Sequence, residues 1–241
     1  MRIHAAVVRD PTGVFTIEEL DLEDPRDDEV VVRVVAVGIC HTDLAMRHRR
    51  APLPVVLGHE GAGIVERVGA RVTKVRPGDH VVMTFLSCGR CLTCQRGMPA
   101  YCENDLAANF AAARLDGSSG LRRGGEVIHG HFFGQSSFAT HALASERNVV
   151  KVRDDLPFEL LGALGCGVPT GAGAVLNSVD PRFRQSLAVH WTFADCVNQA
   201  VDPVLPQLRF CLNYGVRKQH DVIASALDRD RSLLPRKIER R

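Results

Sequence analysis

Four cysteines within one short segment restrict the fold of this chain more than any other feature of its sequence. Cys88, Cys91, Cys94 and Cys102 have the spacing C-x2-C-x2-C-x7-C. Four thiolates on one lobe can close a tetrahedron around a zinc ion and leave no coordination position open. Two alternatives stay open at this point: an iron–sulfur cluster, which also takes four thiolates, or four cysteines with unrelated roles. The zinc hypothesis predicts a loop that is held together by metal.

The composition is typical of a globular protein. Of the 241 residues, 45% are hydrophobic and 24% are charged, and the net charge is +2. This charge gives no reason to expect nucleic acid or membrane partners. A membrane-spanning helix is not expected, because there is no run of about 18 apolar residues. Clustered cysteines without a recognisable signal peptide favour a reducing compartment, so we expect a cytoplasmic location.

Short β-branched segments between glycine and proline turns predict a mainly β fold with some α-helix. The segment Val30–Val37 (VVVRVVAV) is almost uninterrupted in β-branched residues and predicts a buried strand. Many short strands of this kind indicate a barrel-like β domain. Further strands are expected over residues 3–8, 61–68, 80–85 and 138–152.

Two helices and one long loop are also expected. A short helix is predicted over Thr42–Arg47, with Thr42 or Asp43 as its cap. Leu156–Gly173 mixes Leu, Ala and Gly and predicts a helix that leads into a tight turn. Asn104–Gly125 is rich first in alanine and then in glycine and serine, which predicts a surface loop.

Three further candidate metal ligands are far apart in the sequence. Cys40 lies in GICHTDL, His59 in GHEGAGIVERVG and Cys166 in GCGVPTGAG. Their spacing does not show that they meet. Cys40 and Cys166 could be small buried apolar residues, and His59 could be a structural histidine.

The segments around these three residues resemble the zinc-dependent, medium-chain alcohol dehydrogenases. GHEGAGIVERVGARV is similar to the zinc-site signature of that family, CHTD to its first ligand segment, and GCG followed by TG to its third. The four-cysteine lobe lies between the second and third ligands, as it does in the family. The resemblance covers about residues 1 to 189. The segments CHTDL and GCGVPTGAGAVLNS are most similar to the aryl or benzyl alcohol dehydrogenase branch of the family.

The resemblance implies a GroES-like β-barrel catalytic domain over residues 1–173 that binds two zinc ions. The four-cysteine lobe would hold a structural zinc. Cys40, His59 and Cys166 would hold a catalytic zinc with the fourth position open for water or substrate. Such a protein would oxidise a primary or aromatic alcohol to the aldehyde, with NAD as the hydride acceptor. Members of the family are homo-oligomers.

The resemblance also implies roles for five residues near the catalytic ligands. Thr42 would take the proton of the alcohol, Glu60 would lie behind the metal, and Asp43 would orient the ligand histidine. His41 would approach the phosphates of the cofactor, and Thr170 would lie near the nicotinamide. From the residues alone, Thr42 and Asp43 could instead cap a helix, and Glu60 could be a solvated charge.

The dinucleotide-binding pattern expected next does not appear. Gln185–Val189 predicts the first strand of a Rossmann domain, which a G-x-G-x-x-G turn should follow so that the backbone can approach a pyrophosphate. The sequence continues instead with HWTFAD, and no glycine occurs between Gly173 and Gly215. Residues 181–241 contain 11 Lys and Arg residues and 6 Asp and Glu residues, which gives this segment a net charge of +5. Residues 1–180 contain 19 Lys and Arg residues and 22 Asp and Glu residues, which gives a net charge of −3. We expect residues 174–241 to be an aberrant, poorly ordered remnant of an incomplete or missing Rossmann domain.

Three functions follow as hypotheses. The first is a zinc- and NAD-dependent alcohol dehydrogenase that acts on a small alcohol or aldehyde. The second is a truncated zinc-binding remnant without dehydrogenase activity. The third is a thiol redox or zinc-storage protein that uses the four-cysteine lobe. NAD-linked oxidation of benzyl alcohol would separate the first hypothesis from the other two.

Overall fold

The computed structural model of the chain describes residues 1–48, 51–178 and 209–210. This part consists of short strands and small helices, so the expected mainly β fold with some α-helix is confirmed. No helix within these ranges is long and apolar enough to cross a membrane. The strands are β1 (Arg2–Val8), β2 (Phe15–Leu22), β3 (Glu29–Gly38), β4 (Val55–Val56), β5 (Glu60–Val68), β6 (His80–Met83), β7 (Leu121–Arg123), β8 (Glu126–Ile128), β9 (His141–Ser145), β10 (Val149–Lys151) and β11 (Arg209–Phe210). The α-helices are α1 (His41–Met46), α2 (Leu92–Gln95), α3 (Asp105–Asn109), α4 (Phe158–Leu161) and α5 (Gly167–Ser178).

Two curled sheets share one apolar core. One sheet has the strand order β4-β1-β2-β7-β8, and the other has the order β10-β6-β5-β3-β11, with β9 also paired to β3. An isolated bridge between Ala5 of β1 and Ala139, just before β9, links the two sheets. Valine, leucine and isoleucine side chains from both sheets fill the space between them.

Strand β3 organises the second sheet and directs the chain toward the functional residues. It pairs antiparallel with β5 on one side and with β9 on the other. Its valines Val30, Val31, Val32 and Val37 are fully buried, as the uninterrupted apolar run predicts. Each contributes roughly 1.5–3 kcal/mol of hydrophobic free energy relative to an exposed side chain. The strand is therefore a rigid support for the residues that follow it.

Two glycines allow β5 to approach its neighbours closely. A Cβ atom on Gly63 would lie 2.1 Å from the carbonyl oxygen of Arg33 on β3. A Cβ atom on Gly69 would lie 1.9 Å from the carbonyl oxygen of Arg26. Any side chain at either position would push β5 away from the segment that carries β3.

The helix predicted at residues 42–47 is present, but its cap differs from the prediction. Helix α1 begins at His41 and has Cys40 as its N-cap residue, so Thr42 and Asp43 lie inside the first turn. The Asp43 carboxylate accepts a hydrogen bond from the backbone N–H of Cys40 instead of capping from outside the helix.

The long loop predicted over residues 104–125 is only partly a loop. It contains α3 and β7, and Arg114 fastens its middle to the start of β3. The buried guanidinium of Arg114 donates to both carboxylate oxygens of Glu29 at 2.6 and 2.9 Å. The alanine-rich and glycine-rich composition did not reveal this ion pair.

The helix predicted over residues 156–173 is broken into three pieces. α4 is followed by a 3-10 helix over Gly162–Gly165, and α5 begins at Gly167. The break lies at Cys166, whose φ of −142° and ψ of −71° are not helical. Helix α5 runs through the expected domain boundary at residue 173. The expected remnant of a nucleotide-binding domain lies outside the described residues, apart from the end of α5 and β11.

Candidate metal centres

The pairing of β3 with β5 brings two distant candidate ligands together. Cys40 follows β3, and His59 immediately precedes β5, whose first residue Glu60 pairs with Gly38. Cys166 reaches the same place from the break before α5. The ligand atoms of Cys40, His59, Glu60 and Cys166 all lie within 4.8 Å of one another, a spacing that could hold a metal ion. The three candidate ligands Cys40, His59 and Cys166, which are far apart in the sequence, therefore lie together in the structure.

Asp43 fixes this group from behind. Its Oδ1 accepts hydrogen bonds from Nδ1 of His59 at 2.9 Å and from the backbone N–H of Gly58 at 3.1 Å. Its Oδ2 accepts from the backbone N–H of Cys40 at 3.1 Å. The carboxylate is completely buried, and its three bonds fix the positions of Cys40 and His59 relative to each other.

His59 turns its other ring nitrogen toward the centre of the group. The Nε2 atom is buried and has no hydrogen-bond partner among the described residues. Burial lowers the pKa of the imidazole, but the charge and hydrogen bond of Asp43, together with the neighbouring Cys40 sulfur, outweigh burial and raise this pKa to about 10. A buried, unpartnered nitrogen beside two sulfurs has the chemistry of a metal ligand, and the carboxylate on the opposite nitrogen is the usual support for such a histidine.

The two sulfurs have opposite proton affinities. The Cys166 thiol beside Cys40 lowers the pKa of Cys40 to about 3, whereas the pKa of Cys166 is raised because it donates to that thiolate. Cys166 therefore holds its proton more strongly than Cys40 does. A divalent cation would take the place of this proton and hold both residues as thiolates.

Glu60 is the fourth member of the group, with a carboxylate oxygen within 4.8 Å of both sulfurs and of the imidazole nitrogen. Burial raises the pKa of its carboxyl to about 7. Gly38 makes room for this side chain, since a Cβ atom on Gly38 would lie only 2.0 Å from Oε2 of Glu60. The carboxylate is therefore held near the sulfurs rather than in solvent, which excludes the interpretation of Glu60 as a solvated strand-edge charge.

The remaining predicted site residues take different positions. Thr42 places its hydroxyl 3.7 Å from Sγ of Cys40, so it lies beside the candidate ligands. His41 is exposed at the first residue of α1. Thr170 is also exposed, and its hydroxyl donates to the carbonyl oxygen of Cys166 at 2.7 Å. Their expected contacts with a cofactor stay predictions.

Two aromatic residues that the sequence analysis did not single out border His59. Phe133 stacks on the imidazole with ring centroids 4.4 Å apart and an interplanar angle of 24°. Phe132 meets the same ring edge-on at 5.7 Å, and Phe110 contacts both phenylalanines. The segment HFFGQSSF shows the aromatic residues, but its sequence does not show which of them faces a distant histidine.

The four-cysteine lobe forms the second group. The Sγ atoms of Cys88, Cys91, Cys94 and Cys102 lie within 4.8 Å of one another. α2 and the 3-10 turn Pro99–Tyr101 fold the segment back on itself. All four cysteines of the predicted lobe are therefore brought together around one point.

Hydrogen bonds to sulfur stabilise negative charge inside the lobe. The backbone N–H of Cys91 and the side-chain amide of Asn104 donate to Sγ of Cys88 at 3.4 and 3.3 Å. The hydroxyl of Thr93 lies 3.2 Å from Sγ of Cys91 and lowers the pKa of that thiol to about 6. The Cys94 thiol differs, because desolvation and the hydrogen bond with Cys91 raise its pKa to about 11, so a metal ion would have to displace its proton.

One arginine ties the lobe to the barrel. The Arg147 guanidinium donates to the carbonyl oxygen of Ser87 at 3.0 Å, directly before the first cysteine of the lobe. Gly89 allows this approach, because a Cβ atom there would lie 2.4 Å from the guanidinium carbon.

Comparison with known proteins identifies the lineage. Residues 26–154 match the family described as the alcohol dehydrogenase GroES-like domain. The chain belongs to the zinc-dependent, medium-chain alcohol dehydrogenases. The expected family and its GroES-like fold are thereby confirmed.

Individual relatives agree with this lineage. The chain is 51% identical over 187 residues to geraniol dehydrogenase of Castellaniella defragrans, an alignment that covers 77% of this chain and 50% of that protein. An alcohol dehydrogenase zinc-binding domain protein from Burkholderia ambifaria is 54% identical, with a TM-score of 0.72 over 74% of this chain and 49% of that one. Benzyl alcohol dehydrogenase from Acinetobacter calcoaceticus is 48% identical, with a TM-score of 0.69, and the alignment covers 75% of this chain and 49% of that one. The chain spans about half the length of the curated relatives it matches.

Proposed function

We propose that this chain binds zinc at both cysteine centres and that the centre at Cys40, His59 and Cys166 serves the NAD-linked oxidation of a primary or aromatic alcohol. The observation that carries this proposal is the buried Nε2 atom of His59, which has no partner within the described residues and lies among two sulfurs and a carboxylate. Such an arrangement is costly unless a cation completes it.

Zinc suits both donor sets. A tetrahedral zinc with zinc–sulfur bonds of about 2.3 Å places its sulfurs roughly 3.8 Å apart, and Sγ of Cys91 and Sγ of Cys102 are separated by 4.0 Å. Four sulfurs close the lobe, so its metal would have a structural role. Two sulfurs and one imidazole would hold the metal at the other centre and leave a fourth position, which an alcohol oxygen would take in place of the nearby Glu60 carboxylate, and zinc would supply Lewis acidity toward that oxygen.

The residues around the second centre would prepare the substrate. In the overall reaction the alcohol gives a hydride to NAD⁺ and loses a proton, which yields the aldehyde, NADH and H⁺. The hydroxyl of Thr42, beside Cys40, would accept the alcohol proton, and Asp43 would hold His59 in place. Phe133, which stacks on His59 and is only partly buried, would favour an apolar substrate. His41 and Thr170 would contact the cofactor.

The test is oxidation of benzyl alcohol and geraniol by the purified chain with NAD⁺, followed as NADH formation. Wild-type chain should form NADH, and Cys166→Ser should not. An exposed variant far from both centres, Asp155→Asn, should behave as the wild type. Failure of the zinc-loaded wild type with both alcohols would overturn the proposal of dehydrogenase activity.

A second function is favoured by one observation on the sequence. The G-x-G-x-x-G turn expected after Val189 does not occur there, and this turn is the motif with which a Rossmann domain binds the pyrophosphate of NAD. A zinc-binding protein without dehydrogenase activity would bind two zinc ions and show no saturable NAD binding by calorimetry. Either function requires reduced cysteines, which supports the expected cytoplasmic location. The expected homo-oligomer is a separate prediction, and analytical ultracentrifugation would test it.

A further inference from the structure

We propose that Gln135 and Thr84 form a hydrogen-bonded clamp that sets the distance between His59 and Cys166, and thereby the affinity of this centre for its metal. This inference rests on the proposed catalytic metal centre. It assigns a positioning role to two residues that contact none of the candidate ligand atoms. For brevity, the two side chains and the backbone groups that they bind are called the Gln135–Thr84 clamp.

The side chain of Gln135 joins His59, directly before β5, to Thr84, directly after β6. Its Nε2 donates to the carbonyl oxygen of His59 at 2.9 Å and to that of Thr84 at 3.3 Å. Its Oε1 accepts from the backbone N–H of Gly61 at 3.1 Å. The amide is almost completely buried, so all three bonds are shielded from water. The peptide groups on both sides of Glu60 are thereby fixed.

Thr84 extends this connection to the third candidate ligand. Its hydroxyl donates to the carbonyl oxygen of Gly165, directly before Cys166, at 2.7 Å. Gly165 also packs against the end of β6, since a Cβ atom there would lie 2.1 Å from the carbonyl oxygen of Met83. The helix break at Cys166 therefore has a fixed position relative to the His59 peptide.

The turn that carries Gln135 is held in a costly conformation. His131, Phe133 and Ser136 have φ values of 61°, 52° and 52°, in the region that L-residues rarely adopt. Such residues cost on the order of 1–3 kcal/mol each and persist only where surrounding contacts impose them. The buried amide of Asn148 donates to the carbonyl oxygens of Phe133 and Gly134, which imposes this turn.

The strained turn has two consequences at the metal centre. It stacks Phe133 on the imidazole of His59 and places the Gln135 amide on the peptide of the same residue. A centre assembled from three distant segments binds metal tightly only if those segments are held at the right separation before the ion arrives. The Gln135–Thr84 clamp is the connection between two of them.

The test is a cobalt(II) titration of the metal-free full chain. Cobalt bound to cysteine sulfur gives visible and near-ultraviolet absorption, and the part of the spectrum that is lost in Cys40→Ser reports the centre at Cys40. Gln135→Met keeps the length of the side chain but none of its hydrogen bonds. In this variant, half-saturation of the Cys40-dependent absorption should require a 10- to 100-fold higher cobalt concentration than in the wild type. The signal of the four-cysteine lobe should be unchanged in the same variant.

Two further variants separate positioning from general stability. Asn109→Leu removes another buried amide, one that bonds Leu86 rather than the clamp, and it should lower the melting temperature while leaving cobalt affinity at the Cys40 centre unchanged. Thr84→Val should weaken that affinity, and Thr84→Ser should restore it. Wild-type affinity in both Gln135→Met and Thr84→Val would overturn the clamp. A wild-type chain without any cobalt signal that depends on Cys40 would instead overturn the proposed catalytic centre.

Discussion

Replacement of Asp43 by asparagine tests how the fold supports the candidate catalytic centre. The Asp43 carboxylate accepts three hydrogen bonds with its two oxygens, from His59, Gly58 and Cys40. Asparagine has one acceptor oxygen and one NH2 group. Its oxygen can serve either the N–H groups of His59 and Gly58 or that of Cys40, and the NH2 group then faces a donor on the other side.

The magnitude follows from burial. Because Asp43 is completely buried, water cannot replace the lost acceptor. One unsatisfied buried donor costs about 1–3 kcal/mol, so the free energy of unfolding of the metal-free chain should fall by about that amount. The loss of the carboxylate that supports His59 should also reduce zinc affinity at this centre by roughly 10- to 100-fold.

Urea unfolding in the presence of a chelator measures the first effect, and zinc titration against a coloured chelator measures the second. Asp155→Asn is the matched control, because Asp155 pairs with Arg153 in an exposed position, where an ion pair contributes little to stability. If Asp43→Asn retained both the stability and the zinc affinity of the wild type, the supporting role of this carboxylate would be refuted.

Three other predictions address the lobe and the barrel. Cys91→Ser should lower the melting temperature of the zinc-loaded chain, because three sulfurs close the lobe less tightly than four, and an unchanged value in calorimetry would count against a structural zinc. Arg114→Met should destabilise the fold by about 3–5 kcal/mol in urea unfolding, since it leaves the buried carboxylate of Glu29 without its cation, and the double variant with Glu29→Gln should recover much of the loss. Burial lowers the pKa of His131 to about 4, so between pH 6.5 and 4 the unfolded chain takes up a proton that the folded chain does not. Stability should fall across that window, and His131→Gln should show a smaller fall.

The sequence predicted the parts of this structure that depend on local pattern. The valine run of β3 follows from residue type alone, because β-branched residues favour strands. The order of the zinc motifs likewise gave the convergence of Cys40, His59 and Cys166. These features are local or are inherited as recognisable segments.

The features that the sequence did not reveal depend on contacts between distant segments. Gln135 gives no sign of its role, because its partners are backbone groups at the start of β5 and just after β6, more than fifty residues earlier in the chain. Phe133 reaches His59 only because its own backbone adopts a positive φ, which residue preference argues against. The helix break at Cys166 is different, because Gly165, Gly167 and Pro169 around it all disfavour a continuous helix, so the sequence did carry a signal for this break.

The central claim is that Cys40, His59 and Cys166 share one zinc ion while the four-cysteine lobe holds another. Zinc analysis of the purified chain, with Cys40→Ser prepared in parallel, tests it most directly. We expect two zinc ions per wild-type chain and one per variant chain, with the variant still folded by circular dichroism. A single zinc in both proteins would contradict the account.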